Sequence, residues 1–284
     1  PFNKIGRTDN WFYTTCQVST DESNSLSGTP LSSFNSYMAK VSSFMRKGTN
    51  YSDLAVYMPM EDSWMGGAYG EDVTSKMPWA LGQYEMRYIE TPEELKGRQP
   101  LWVNGHFLSS AEFHDGELHC GDAVFSSLWV DVGHMDISSL ESVLRLAESG
   151  LPVVFASTPV EPGVNKTPEY GQMLEKVLSL PNVSRESTSL PGKSLIEGED
   201  IPDFWCRVEG DTYYVFFANP HSQAVSYPME YEYAYKDKGS TREITLNHHG
   251  RSEALTLEFR PMESLLYKIT PKGASKIDLG YDPS

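Results

Sequence analysis

Cysteine is scarce in this chain, and the three cysteines lie far apart in the sequence. They are Cys16, Cys120 and Cys206, and no two of them have the C-x-x-C spacing of a zinc site or a redox pair. Because the number is odd, at least one thiol must be free, and we expect three buried or partly buried thiols. The pattern argues against a zinc-dependent or disulfide-exchanging protein.

Positive charge is also in short supply. The chain has 23 Lys and Arg against 39 Asp and Glu, which gives a formal net charge of −16. Binding to phosphate groups needs clustered cations, so we expect neither nucleic acid nor an anionic membrane surface as a partner. No run of about 18 apolar residues occurs, so we expect no membrane-spanning segment.

Several motifs of catalysis and nucleotide binding are missing. The sequence contains no G-x-S-x-G, G-x-x-x-x-G-K-[ST], H-E-x-x-H or G-x-G-x-x-G. Cys120 precedes a glycine but lacks a strand–elbow–helix setting, which makes it a weak candidate nucleophile. His248 and His249, in NHHG, are predicted to lie in a solvated hairpin turn. The known nucleophile and phosphate-binding signatures therefore do not identify a function.

The segment DVGHMD offers three possible metal ligands, Asp131, His134 and Asp136. Its spacing crosses from the end of a strand to the start of a helix. Asp is a preferred residue at the position that caps a helix N-terminus. We therefore interpret Asp136 as a helix cap and expect no metal site in this chain.

The composition is that of a folded protein of more than one domain. The 284 residues are 39% hydrophobic and 12% aromatic, enough for two cores. Residues 52–158 alternate buried strands with amphipathic helices, which predicts a parallel sheet covered by helices. From residue 203 onward the pattern is one of short strands only, which predicts an antiparallel sandwich. The predicted domains are an α/β domain at 49–190 and a β-sandwich at 201–270, joined by a linker at 191–202.

The first 48 residues have the pattern of a strand, a polar loop and a helix. The helix is predicted from the spacing of its apolar residues, which are Leu31, Phe34, Met38, Val41 and Met45. A strand followed by a helix fits the closing unit of a (β/α) barrel, and we predict that 1–48 is the end of such a barrel. Since the chain opens with Pro1, we expect it to be part of a larger protein.

The segment DLAVYMPMEDSW, at 53–64, is the strongest candidate for a functional site. Its apolar run predicts a buried strand that stops at Pro59, and Glu61, Asp62 and Trp64 follow at once. In open α/β sheets, ligands bind beyond the carboxyl ends of the strands. Carboxylates accept hydrogen bonds from hydroxyl groups, and an indole face covers a sugar ring. Glu61, Asp62 and Trp64, with Trp11, are therefore the predicted carbohydrate-binding residues.

A structural interpretation of the same segment stays open. Asp62 would then cap a turn, and Trp64 would fill a domain boundary. Glu61 and Asp62 are adjacent, whereas glycoside hydrolysis needs two carboxyl groups on either side of the scissile bond. We therefore leave the catalytic residues unassigned. Of the other tryptophans, Trp79 is predicted to lie in a loop, and the core is predicted to contain Trp102, Trp129 and Trp205.

Three stretches carry a resemblance to a known family. They are FNSYMAKVSSFMRKGTNYSDLAVYMPMEDSW, the block from GELHCGDAVF to ESGLPVVF, and PDFWCRVEGDTYYVFFANP running to LEFRPMESLLYKI. Together they cover most of the chain. It resembles the C-terminal portion of large bacterial glycoside hydrolases of the α-L-rhamnosidase family 106, including related proteins of gut Bacteroidetes. By position, Asp62 and Trp64 match that family's D-x-W after the strand.

The resemblance implies a three-part protein. A catalytic (β/α) barrel would precede an α/β flavodoxin- or amidotransferase-like domain and a C-terminal β-sandwich. It implies part of a hydrolase that acts on polysaccharide, with carbohydrate and the upstream barrel as partners, in the periplasm or secreted. No cofactor is expected in this chain, although the barrel would hold calcium. The alternative is a non-catalytic module that scaffolds, dimerises or binds sugar.

Overall fold

The structure is a computed structural model, and it describes residues 29–65, 92–221 and 237–280. Its helices are α1 (Thr29–Met45), α2 (Met60–Met65), α3 (Gly105–Ser110), α4 (Ile137–Glu148) and α5 (Tyr170–Leu178), with 3-10 turns at Glu93–Leu95 and Ser187–Ser189. The strand predicted near the start of the chain lies outside these ranges, as do Trp11, Cys16 and Trp79. None of the described helices is long and apolar enough to cross a membrane.

Within the described ranges, the strands form four sheets. In chain order they are β1 (Thr49–Asn50), β2 (Leu54–Tyr57), β3 (Leu101–Val103), β4 (Glu112–His114), β5 (Glu117–Cys120), β6 (Ala123–Phe125), β7 (Ser127–Val130), β8 (Val153–Phe155), β9 (Val183–Ser184), β10 (Ile196–Gly198), β11 (Phe204–Glu209), β12 (Thr212–Phe217), β13 (Ser240–His248), β14 (Arg251–Phe259), β15 (Leu265–Thr270) and β16 (Gly273–Ile277). The chain is thus a mixed α/β domain followed by a β-sandwich.

The α/β domain is built on a parallel sheet of order β3-β2-β7-β8-β9. Every neighbouring pair in it is parallel. Strands β2, β7 and β8 are buried along their whole length, as expected for a sheet covered on both faces. Numbered among themselves, the strands run 2-1-3-4-5. From β2 the chain continues to β3 on one side, whereas β7, β8 and β9 follow on the other side. The strand order of the sheet therefore reverses between β2 and β7.

Helix α4 shows how the sequence fixes one of the covering helices. Asp136 caps it by accepting a hydrogen bond from the Ser139 N–H at 2.7 Å. Leu140 and Val143 are fully buried on the face toward the sheet. The helix gives way to Gly150, whose φ of +102° favours glycine. The interpretation of Asp136 as a helix cap is confirmed.

A small antiparallel sheet, β4-β5-β6, is formed by the segment that connects α3 to β7 in the sequence. Its first turn is Asp115–Gly116, where both residues have positive φ, as a two-residue hairpin turn requires. The sequence predicts a hairpin strand followed by a core strand here. Strands β5, β6 and β7 confirm this, and Leu118 and Phe125 join the core of the α/β domain.

The second domain consists of sheets β1-β11-β12-β15-β16 and β10-β13-β14, all with antiparallel pairing. Their inner faces enclose a core that includes Cys206, Val215, Phe217 and Leu257. Three of its strands lie outside the predicted span of 201–270, and one of them, β16, follows that span. Strand β1 precedes the α/β domain in sequence, and β10 forms within the segment predicted as a linker.

Strand β12 has apolar residues on both faces, and this pattern predicts that one face lies in the sandwich core and the other packs on the α/β domain. Val215 and Phe217 are buried in the sandwich core. On the other face we expected the α/β domain, but Tyr214 instead meets α1, where its ring lies 5.5 Å from that of Phe44. Residues 29–45 do form the predicted helix. The structure places it against β11 and β12 of the sandwich.

Candidate functional site

The candidate site lies at the carboxyl ends of β2 and β7, where the strand order of the parallel sheet reverses. In open α/β sheets this switch point opens a crevice, because the chain leaves the two strands toward opposite faces. Helix α2 follows β2 there, and the loop at 131–136 follows β7. Side chains about 70 residues apart in sequence therefore meet at one edge of the sheet.

Asp62 joins the two segments. Its Oδ2 accepts a hydrogen bond from the Gly133 N–H at 2.8 Å, and its Oδ1 lies 2.7 Å from Nδ1 of His134. An ionised carboxylate only accepts hydrogen bonds, so Nδ1 of His134 must carry the hydrogen. In neutral His134 the other nitrogen, Nε2, is then an acceptor. About a third of each side chain is exposed, so a ligand can reach both.

Exposed apolar side chains lie on the segments that follow β2 and β8. Trp64, on α2, is 68% exposed, and Met65, Val160 and Val164 are also exposed. The loop after β8 approaches α2, since the Gly163 N–H donates to Sδ of Met65 at 3.3 Å. The short helix α2 thus carries both a fixed carboxylate, Asp62, and an exposed indole, Trp64. The structure does not bury Trp64 between helices, and Asp62 does more than cap a turn.

Glu61 is placed differently from its neighbour Asp62. It is only 3% exposed, and its Oε1 accepts the Tyr57 hydroxyl at 2.7 Å. Burial, followed by the nearby Asp136 carboxylate, raises the pKa of Glu61. Tyr170 also lies within electrostatic range of this group. Glu61 thus belongs to a buried polar cluster beneath the site, and it does not present its carboxyl group to a ligand.

The three possible metal ligands of DVGHMD have separate partners. Asp131 accepts a hydrogen bond from the Ser157 hydroxyl, His134 pairs with Asp62, and Asp136 caps α4. Within the described residues, no three His, Cys, Asp or Glu side chains are placed to hold a metal ion. The local chemistry therefore gives each of these residues a role without a metal.

The other candidates lie away from the switch point. Burial raises the pKa of the Cys120 thiol, which disfavours the thiolate that a nucleophile needs. His248 has a fully buried side chain, with Nε2 3.1 Å from Oε2 of Glu253, so the expectation of a solvated turn is wrong for it. Its neighbour His249 is exposed, with a φ of +48° in the turn itself.

The structure brings together Asp62, Trp64 and Glu61, of which only the first two reach the surface. Trp11 lies outside the described residues. The reasoning from sequence missed the pairing of His134 with Asp62. The available signal was that DVGHMD also follows a buried strand, so it lies at the same edge of the sheet as Asp62 if the two strands are neighbours.

No protein-family model matches this chain, and no curated protein matches it in sequence. The fold and the site themselves define the class: a two-domain protein with a solvent-accessible carboxylate–imidazole pair and an exposed indole at the switch point of a parallel sheet.

Proposed function

We propose that this chain is the accessory part of a carbohydrate-active glycoside hydrolase and binds carbohydrate at Asp62, His134 and Trp64. Its α/β domain would be flavodoxin- or amidotransferase-like, and a catalytic (β/α) barrel, of which 1–48 is the end, would lie upstream. The resemblance to α-L-rhamnosidases of family 106 supports a rhamnose-containing polysaccharide as the target, met in the periplasm or outside the cell.

A sugar fits the chemistry of this crevice. The exposed indole of Trp64 offers an apolar face to the C–H side of a pyranose ring. The remaining lone pairs of the Asp62 carboxylate and Nε2 of His134 accept hydrogen bonds from hydroxyl groups. Such sites combine apolar walls with a few fixed polar groups that set the orientation of the ligand.

One observation carries the proposal: Asp62 is held by two hydrogen bonds from the loop at 131–136, while Trp64, two residues further along the same short helix, stays 68% exposed. An ordered carboxylate costs little additional entropy when a ligand binds. A large exposed aromatic side chain next to it has no structural role among the contacts described. Both features are expected of a binding site and not of a turn.

The test is binding of methyl α-L-rhamnoside and of rhamnose-containing oligosaccharides, measured by calorimetry and tryptophan fluorescence. We expect Trp64→Ala to lose about fivefold or more in affinity, since stacking on an aromatic ring contributes about 1–3 kcal/mol in related base-stacking sites. Trp205→Phe is the matched control, because Trp205 is also exposed but lies on β11 of the sandwich. Equal binding by wild type and Trp64→Ala would contradict the proposal.

A non-catalytic scaffold is the second candidate, and the contacts between the domains favour it. Arg98 binds Asp53 at 2.5 Å and also donates to the carbonyls of Pro191 and Gly192. These contacts tie the start of β2 to the segment that leads into the sandwich. A scaffold needs this rigidity and no ligand. Absence of carbohydrate binding with an intact fold would favour it.

A further inference from the structure

The carboxyl group of Glu61 is buried in a way that does not suit a carboxylate. Its Oε1 accepts the hydroxyl of Tyr57, but its Oε2 is buried and receives no hydrogen bond from any described residue. A buried charged oxygen without a donor is costly. A protonated carboxyl group removes the cost, because its O–H needs an acceptor instead of a donor.

Asp136 is that acceptor. It lies within hydrogen-bonding reach of Glu61, and its Oδ1 already accepts from the Ser138 hydroxyl and the Ser139 N–H, both at 2.7 Å. Its position at the start of α4 favours negative charge there. Burial opposes this charge, but the hydrogen bonds from Ser138 and Ser139 lower the pKa of Asp136. The unpartnered Oε2 of Glu61 and the hydrogen bonds to Asp136 favour the arrangement in which Asp136 is ionised and Glu61 holds the proton.

Among the residues that the structure describes, the other groups shown to act on Glu61 do not supply a counter-ion. Tyr57 on β2 and Tyr170 on α5 act on this cluster, and both are acids that are neutral at pH 7. Glu161, in the loop after β8, acts on Tyr170 and adds further negative charge. On α2 itself, Asp62 directs its carboxylate toward Gly133 and His134.

We infer that Glu61 and Asp136 share one buried proton, and that this proton fixes α2, with Asp62 and Trp64, against the start of α4. When the proton is lost, two carboxylates face each other in a buried site, and α2 separates from α4. The consequence for carbohydrate binding rests on the function proposed above. The shared proton itself rests only on the contacts of Glu61.

The sign of the pH dependence follows from the raised pKa of Glu61. The folded state holds this proton more tightly than the unfolded state does. The stabilisation is therefore fully present below the ordinary value of 4.5 and is lost as the pH rises through the pKa of the folded state. Glu61→Gln keeps both hydrogen bonds, since its amide donates to Asp136 and its carbonyl accepts from Tyr57, and it has no proton to lose.

The first measurement is urea unfolding of the whole chain across the range from pH about 4 to about 9. We expect Glu61→Gln to match the wild type at the acid end and to exceed it increasingly as the pH rises. Glu141→Gln, at an exposed position of α4, is the matched control and should follow the wild type throughout. A Glu61→Gln variant that is less stable than the wild type at neutral pH would overturn the inference.

The second measurement detects the proton directly. Infrared spectra at neutral pH should contain the C=O band of a protonated carboxyl group in the wild type and in Glu141→Gln, and not in Glu61→Gln. Asp136→Asn keeps a capping side chain but removes the neighbouring charge, so the band should disappear at a lower pH than in the wild type. A wild-type spectrum without the band would refute the shared proton.

Binding of methyl α-L-rhamnoside links the proton to the site. Affinity should fall more steeply with rising pH in the wild type than in Glu61→Gln, because only the wild type has this proton to lose. If neither protein binds this sugar at any pH, the proposed function fails, while the unfolding and infrared results still decide on the shared proton. If both bind with the same pH profile, the proton does not control the site.

Discussion

Gln99 of the α/β domain completes the hydrogen bonding of Cys206 in the sandwich. Its side-chain carbonyl accepts from the Cys206 N–H, and its Nε2 donates to the carbonyls of Cys206 and Tyr51, at 3.1 and 2.7 Å. Beyond the paired residues 49–50 of β1 and their partners in β11, the Tyr51 N–H still donates to the Cys206 carbonyl at 3.1 Å, and the Gln99 amide bridges the Cys206 N–H and the Tyr51 carbonyl. The buried Gln99 side chain thus links the α/β domain to the backbone of the sandwich through hydrogen bonds.

We therefore expect Gln99→Met to destabilise the protein by about 1–3 kcal/mol, because it leaves the buried Cys206 N–H without an acceptor. Urea unfolding measures this loss. The matched control is Gln172→Met at an exposed position of α5, which should change stability by less than about 0.5 kcal/mol. Equal effects at the two positions would show that the amide of Gln99 contributes nothing beyond packing.

Gly97 allows the same two domains to approach. Its φ is +85°, its carbonyl accepts from the Ile196 N–H at 2.9 Å, and a Cβ atom there would lie 1.9 Å from the Ile196 carbonyl oxygen. Gly97→Ala should therefore reduce the free energy of unfolding by more than about 2 kcal/mol, from backbone strain and steric overlap together.

Gly171 is the control position for the unfolding measurement on Gly97→Ala, because the opposite effect on stability is expected there. It lies in α5, and a Cβ atom there would meet no atom within 4 Å. Gly171→Ala should stabilise the protein by about 0.5–1 kcal/mol. A Gly97→Ala variant as stable as Gly171→Ala would mean that the domains can separate at Ile196 without cost.

Glu263 should make the sandwich sensitive to acid. Its carboxylate accepts two hydrogen bonds from the Arg260 guanidinium, one from the Arg260 N–H and one from Lys276. These contacts, Arg260 first, lower the pKa of Glu263 to about 2 from 4.5. Because the folded pKa is depressed, the stabilisation is present above pH 4.5 and is lost as the pH falls toward 2.

Linkage gives an upper bound of about 3 kcal/mol for this loss. Unfolding experiments in this acid range should show it in the wild type, and Glu263→Gln should remove most of the slope. Glu258→Gln, at an exposed position of β14, should retain it. A wild-type slope that survives in Glu263→Gln would assign the acid sensitivity to another group.

Phe217 tests the sandwich core. Its side chain is fully buried and meets the ring of Tyr267 edge-on, with 6.1 Å between ring centroids. Phe217→Ala should cost about 3–5 kcal/mol in the free energy of unfolding. Phe107→Ala, at a position that is 52% exposed on α3, is the control and should cost far less. A small loss at Phe217 would mean that this core rearranges to fill the space.

The local elements of this fold could be predicted from the sequence, whereas several of their partners could not. The apolar run at 54–57 and the capped, one-faced pattern of 136–150 are local signals, and both elements form. The pairing of Asp62 with His134 depends on the order of strands in the sheet, which no local pattern contains. The covering of Tyr214 by α1 is equally non-local.

Trp205 shows where a local signal was misread. We predicted it in the core because it lies in an apolar strand, yet it is 40% exposed. Successive side chains of a strand point to opposite faces. In β11, Phe204, Cys206 and Val208 face the sandwich core, so the alternation directs Trp205 outward. The exposure of Trp205 therefore follows from the alternation of side chains along the strand, and not from the hydrophobicity of the residue.

We expect this chain by itself to hydrolyse no glycoside. Hydrolysis needs two carboxyl groups on either side of the scissile bond, about 5 Å or about 6.5–9.5 Å apart. Glu61 is buried against Tyr57, and Asp62 is engaged by Gly133 and His134, so the two do not flank a common ligand. The accessible groups at the switch point can accept hydrogen bonds from a sugar, but the carboxyl group with the raised pKa is out of its reach.

An assay of aryl α-L-rhamnosides and related aryl glycosides with the 284-residue chain should therefore release no detectable aglycone. We expect no activity from either the wild type or Asp62→Asn. A contaminating enzyme would instead give the same trace activity in both preparations. Turnover by the wild type that is lost in Asp62→Asn would place catalysis at the switch point. It would also show that Asp62 finds a second carboxyl group as partner, because the burial of Glu61 prevents it from protonating a leaving group.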